Sequence, residues 1–139
     1  MNDKQNEVKS DVISGRNPVS EAIRGNRPID KILVAKGEKS GVVVFCIPVD
    51  KEIDLKKAAV VTGNKKLEML HVKDLLATTG YIRGGCSPIG MKKKFPTFID
   101  ESAQNFEEIT VSAGVRGAQL LLDPRELVKF IGANLCQIV

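Results

Sequence analysis

The chain has 139 residues, enough for one domain with a real core and too few for two, and its 21 Lys+Arg against 17 Asp+Glu leave a net charge of +4. That balance favours an anionic partner, while one Tyr, five Phe and no Trp argue against a protein that stacks single-stranded bases on exposed rings. Three scattered cysteines (Cys46, Cys86 and Cys136) and a lone histidine, His71, lack the clustering of a zinc site. No apolar run approaches the ~18 residues of a membrane span, and the opening MNDKQNEVKS lacks a signal peptide's apolar segment. The expectation is a cytoplasmic protein with reduced thiols and neither metal nor cofactor.

In chain order, the first ten residues read as a frayed tail. Asn17-Pro18 predicts a helix start, with Gly25 near its end. IDKILVA predicts a strand, GEKSG a hairpin link, and VVVFCIPV a buried, β-branched strand ended by Pro48. Asp54 caps the predicted helix LKKAAVVT, which Gly63 terminates. KLEML is a short strand, and His71 to Thr79 a short helix closed by Gly80. PTFID and EITVSAG are strands around a small turn or helix at Glu101 to Asn105, and AQLLL is another strand. DPRELVKFIG is the clearest helix: Asp123 as N-cap, Pro124 first, Glu126 closing a capping box, Gly132 as stop. ANLCQIV closes as a strand. Strands outnumber short helices, so the fold class is α+β, with a mixed, barrel-like curled sheet and short peripheral helices, in a single domain over residues 1–139.

The residues hardest to explain as packing are 79–94, TGYIRGGCSPIGMKKK. A Walker loop fails, because Met91-Lys92 follow Gly90 where Lys and Ser/Thr are needed. A nucleophilic Cys86 would need a base, and nothing local brings His71 to it. Backbone chemistry remains: Gly84-Gly85 before Ser87-Pro88 can offer main-chain N–H groups to a carbonyl oxygen or oxyanion. Arg83, Lys92, Lys93 and Lys94 supply flanking positive charge suited to phosphates. A plain Gly/Pro surface loop with a solvated lysine run is the competing reading. Ser112-Ala113-Gly114 before Arg116-Gly117 is a second strand-to-loop device able to line the same pocket.

DLKKAA, KKLEM, TGYIRGGCSPIGMKKKFPTFIDES and VSAGVRG, in that order, resemble the YbaK-type aminoacyl-tRNA deacylases, kin of the editing domain of bacterial prolyl-tRNA synthetases, from about residue 43 to the end. The resemblance implies hydrolysis of the ester between a wrong amino acid and the tRNA 3′ adenosine, with Cys-tRNA(Pro) as the substrate and no metal or other cofactor. It implies a pocket loop at Gly84, Gly85, Ser87 and Pro88, flanked by Tyr81, Arg83, Lys92 and Lys93. It places a second pocket segment at Ser112, Gly114, Arg116 and Gly117. Lys31 in DKILV holds the place of a functional lysine that contacts the terminal nucleotide or phosphate. The expected partners are the tRNA acceptor end, prolyl-tRNA synthetase in a ternary complex, and a second copy of the chain through an open sheet edge.

Departures from the pattern are Ile32 for Thr, Val115 for Lys or Arg, and Gln119 at a position that is Asp in some members. Residues 11–39, DVISGRNPVSEAIRGNRPIDKILVAKGEK, instead resemble the start of the substrate-binding domain of SpoU/TrmH-type ribosomal-RNA ribose methyltransferases. The sequence thus reads as a mosaic joined near GEKSG, natural or constructed. Against an editing hydrolase stand two alternatives, a non-catalytic RNA-binding protein and a folded but inactive chimera.

Overall fold

A computed structural model describes residues 11–14 and 29–139. The tail before residue 11 and the helix expected from Asn17 lie outside the described residues. The chain's centre is a hairpin. Strand β2 (Asp30–Gly37) pairs antiparallel with β3 (Gly41–Pro48) along their full length, from Asp30 opposite Pro48 to Gly37 opposite Gly41. The apolar run of β3 follows from its place, since both of its faces are covered. Side chains alternate across a strand, so Val43, Phe45 and Ile47 enter one core with Ala35, Leu67 and Ile138. On the other face, Cys46 packs with Ile99, Ile109, Val111 and Leu127, and Val44 packs with Val34 and Cys86.

Helix α1 (Leu55–Thr62) covers the first core with Ala58 and Ala59. Its ends are as the sequence predicts: the Asp54 carboxylate accepts from the Lys56 and Lys57 N–H groups at 3.0 and 3.1 Å, and Gly63 takes a left-handed φ of 75°. Strand β4 (Leu67–Met69) pairs antiparallel with β2, and helix α2 (Val72–Thr79) follows it. Strand β5 (Thr97–Asp100) lies parallel to β3, and β8 (Asn134–Cys136) parallel to β5. The five-stranded sheet therefore has the order β4-β2-β3-β5-β8.

After a 3₁₀ turn at Glu101–Asn105, β6 (Ile109–Ser112) and β7 (Ala118–Leu122) form an antiparallel hairpin. Strand β1 (Asp11–Ser14) pairs with β7, giving a second sheet of order β1-β7-β6. Helix α3 (Pro124–Ile131) leads from β7 to β8. Its N-cap Asp123 accepts from the Arg125 N–H at 2.8 Å and also pairs with the Arg125 guanidinium. The mixed α+β class is as expected. Among the described residues the strands lie in sheets of five and three, joined by a parallel bridge between Ile29 and Thr110. Among the described residues no helix is long and apolar enough to cross a membrane.

Candidate functional site

The glycine-rich segment begins where α2 stops. Gly80 ends the helix at φ 89°, its N–H donating to the Leu76 carbonyl at 2.8 Å. The chain then turns tightly over residues 82–85: the Gly85 N–H donates to the Ile82 carbonyl at 2.9 Å, and Gly84 holds φ 85°. That positive φ at the third position of a turn is what glycine supplies. The Tyr81 hydroxyl donates to the Ile89 carbonyl, clasping the two ends of the segment together.

The β6–β7 connection braces this turn from outside. Arg116 donates through Nε to the Arg83 carbonyl at 2.9 Å. A Cβ on Gly85 would stand 3.2 Å from main-chain atoms of both Val115 and Arg116. The glycines expected to expose backbone to a ligand therefore serve first to let two loops touch. Gly85's own amide is occupied by the turn.

Between these loops and β2 lies a cavity of about 260 Å³. Lys31, Gly84, Ser112 and Gln119 line it, together with Cys86 and with Asp30, which no sequence motif marks as a site residue. Ser112 is buried, and its hydroxyl accepts from the Gly114 N–H at 3.3 Å. Lys31 stands opposite Ile47, so its side chain leaves the strand on the face opposite to those of Asp30 and Ile32, and its ammonium lies 3.9 Å from Glu52. That carboxylate is almost wholly exposed, which makes the pair a weak one.

Asp30 is the electrostatic oddity. It is 5% exposed, and burial, reinforced by the nearby Asp100 carboxylate, raises its pKa to about 7. Its Oδ2 and the Gln119 Oε1 are buried without a hydrogen-bond partner among the described residues, as is the Thr110 hydroxyl. The available clue was an acidic residue at a position whose alternation with Ile32 and Val34 turns it inward.

Neither Cys86 at the cavity nor the fully buried Cys46 is activated. Burial pushes Cys86 up, with a hydrogen bond from Thr79 opposing it, and burial pushes Cys46 well up. His71 stays exposed at the start of α2.

The other predicted site residues lie outside this cavity. Tyr81 acts as the clasp, and Ser87 is buried with its hydroxyl accepting from the Ile89 N–H at 3.3 Å. Pro88 and Lys93 line a second cavity of about 240 Å³ with Lys94, Phe95 and Phe130. Lys92 donates to the Ala77 carbonyl at 3.3 Å, at the carboxyl end of α2. Arg83 is exposed, and Gly114 and Gly117 carry positive φ in the β6–β7 connection beside Arg116.

An aminoacyl-tRNA editing domain model matches residues 22–130. A protein of Enterococcus faecalis with the provisional name Cys-tRNA(Pro)/Cys-tRNA(Cys) deacylase EbsC is 56% identical over 110 residues, 79% of this chain and 67% of that protein. The crystal structure of a provisionally assigned trans-editing enzyme for prolyl-tRNA synthetase superposes with a TM-score of 0.83 at 25% identity, over 93% of this chain and 85% of its own. A structure described only as that of a hypothetical protein gives 0.82 at 21% identity, over 94% and 91%, and shares the fold. The editing-domain match begins inside residues 11–39, and the expected methyltransferase-like graft there finds no support. With a family model that spans most of its length and a relative of this identity, the chain belongs to the aminoacyl-tRNA editing domain family.

Proposed function

We propose that the protein is a single-domain hydrolase that cleaves the ester of mischarged aminoacyl-tRNA, with Cys-tRNA(Pro) as its substrate. The observation that carries this reading is the cavity of about 260 Å³ lined by Lys31, Gly84, Ser112 and Gln119. Main-chain N–H groups beside Gly84 hold the ester carbonyl and stabilise its oxyanion. The amide of Gly85 is excluded from that role by its bond to Ile82. Water attacks the ester carbonyl, with the adjacent ribose 2′-hydroxyl taking part in the cleavage, and the amino acid leaves as a free carboxylate. In the cysteine case the substrate's own thiol can attack instead. The departing ribose oxygen takes up the proton. No protein nucleophile is needed, which agrees with two buried, unactivated thiols.

Lys31 leaves its weak pairing with Glu52 to hold the terminal nucleotide or phosphate. Arg83 and Lys93, both exposed, face the acceptor end. Prolyl-tRNA synthetase as a ternary partner and a dimer formed through a sheet edge belong to the same proposal, and scattering with and without the synthetase tests both. Single-turnover hydrolysis of Cys-tRNA(Pro) decides the main point. Rapid deacylation is expected, reduced at least tenfold in Lys31→Ala with an unchanged circular dichroism spectrum. No hydrolysis by the folded wild type would overturn it.

The position of the Lys31 ammonium at Glu52 favours one second reading, a non-catalytic RNA-binding protein. It requires salt-sensitive tRNA binding with no ester cleavage.

A further inference from the structure

Two residues that line the cavity each carry a buried oxygen acceptor without a hydrogen-bond partner among the described residues. Asp30 comes from β2 and Gln119 from β7, and both residues line the same space. Asp30 Oδ2 and Gln119 Oε1 are each buried and unpaired among the described residues, and the Asp30 residue is 5% exposed. An acceptor withdrawn from water without a donor is destabilising, so the site is complementary to a ligand that brings N–H groups. One of the two acceptors is a carboxyl group, which favours a donor carrying positive charge.

An aminoacyl ester has one group of that kind. Its carbonyl and ester oxygens only accept, its ribose hydroxyls are neutral, and its α-ammonium donates three hydrogen bonds with a full charge. We propose that Asp30 and Gln119 form the subsite for the α-ammonium group of the aminoacyl ester, so that esters with a free amino group are selected over those whose nitrogen is absent or blocked. The inference rests on the aminoacyl-ester reading of the cavity. It assigns Asp30 to specificity and leaves the bond-breaking to the groups named above.

The charged form of Asp30 is held back in the free protein by burial and by Asp100 on β5. The other titratable groups near it are Cys46 on β3 and Cys86 across the cavity, whose thiols are raised and neutral, while its neighbour Lys31 leaves the strand on the opposite face towards Glu52. An arriving ammonium is thus the cation that Asp30 lacks.

The test uses two non-hydrolysable probes, the 3′-cysteinylamide and the 3′-(3-mercaptopropionyl)amide of 3′-amino-3′-deoxyadenosine, which differ only in the α-ammonium. Calorimetric titration at pH 7 should show the wild type binding the amino-bearing probe at least tenfold more tightly. In Asp30→Asn the two affinities should fall within about twofold of each other, with the circular dichroism spectrum unchanged. A measurement on the wild type alone guards against a variant that fails to fold: between pH 7 and 5 the ammonium stays charged while Asp30 takes up a proton, and the preference should shrink several-fold. Equal affinity of the wild type for both probes, or a preference that survives Asp30→Asn, overturns the subsite. Absence of binding by either probe also overturns it, while Cys-tRNA(Pro) hydrolysis by the same preparation would leave the hydrolase reading standing. Selective binding without any hydrolysis would do the reverse.

Discussion

Asp30 makes the pH dependence of folding calculable in sign. With its pKa raised from 3.8 to about 7, the folded protein holds a proton that the unfolded chain has released throughout that interval. Its contribution to stability is fully present below about pH 4 and is lost as pH rises towards 7, at up to about 1.4 kcal/mol per pH unit. Urea denaturation should therefore show Asp30→Asn gaining on the wild type from pH 4 to 7, by a few kcal/mol in total; a constant difference between the two would refute the burial argument. Cys86→Ser should leave ester turnover within about threefold of wild type in a single-turnover assay, because a thiol raised by desolvation is a poor nucleophile. These two residues also mark what a sequence conceals. Cys86 could be discounted from the absence of an activating base nearby. Asp30 gave only its parity in a strand, and its unpaired oxygen depends on β7 and β5, segments far along the chain.

Elements with local punctuation were legible, and elements defined by distant pairing were not. Asp54 and Gly63 bracket α1, and Asp123-Pro124 and Gly132 bracket α3, at the residues their chemistry predicts. Asp54→Ala removes the acceptor for two helix N–H groups and should cost about 1 kcal/mol of stability, read by thermal or urea unfolding. Strand β1 carries no such signal. Its four residues are a strand because they find Ala118 to Leu121 of β7, more than a hundred positions away. The partition of the eight described strands into two sheets is likewise a matter of pairing, which alternation within each strand cannot reveal. In the candidate site, glycine-rich composition singled out this loop and could not show its main constraint, the neighbouring loop. Gly85→Ala places a Cβ against main-chain atoms of Val115 and Arg116. It should destabilise the fold by about 1–3 kcal/mol and lower ester turnover together with it, as unfolding curves and single-turnover rates would show.

At the scale of the whole molecule, a net charge of +4 is modest, and its placement matters more than its size. Lys93 and Lys94 are exposed beside the second cavity, while Lys92 is drawn to the end of α2. If tRNA phosphates meet this face, Lys93→Ala with Lys94→Ala should flatten the dependence of log K on log salt by roughly 0.7–0.9 for each phosphate that is no longer neutralised. Lys92→Ala should leave that slope alone. A slope unmoved by the double variant would place the RNA elsewhere.

The bracing of one loop by the other has a consequence for heredity. Arg116 grips the Arg83 carbonyl, and Gly85 leaves room only for the backbone it faces. Drift in either segment is tolerable only within limits set by the other, so the two behave as one heritable cassette although some thirty residues of chain separate them. Transplanting residues 81–90 alone between homologues would deliver a loop without its buttress. Transplanting them together with residues 113–117 would carry the wall of the cavity intact.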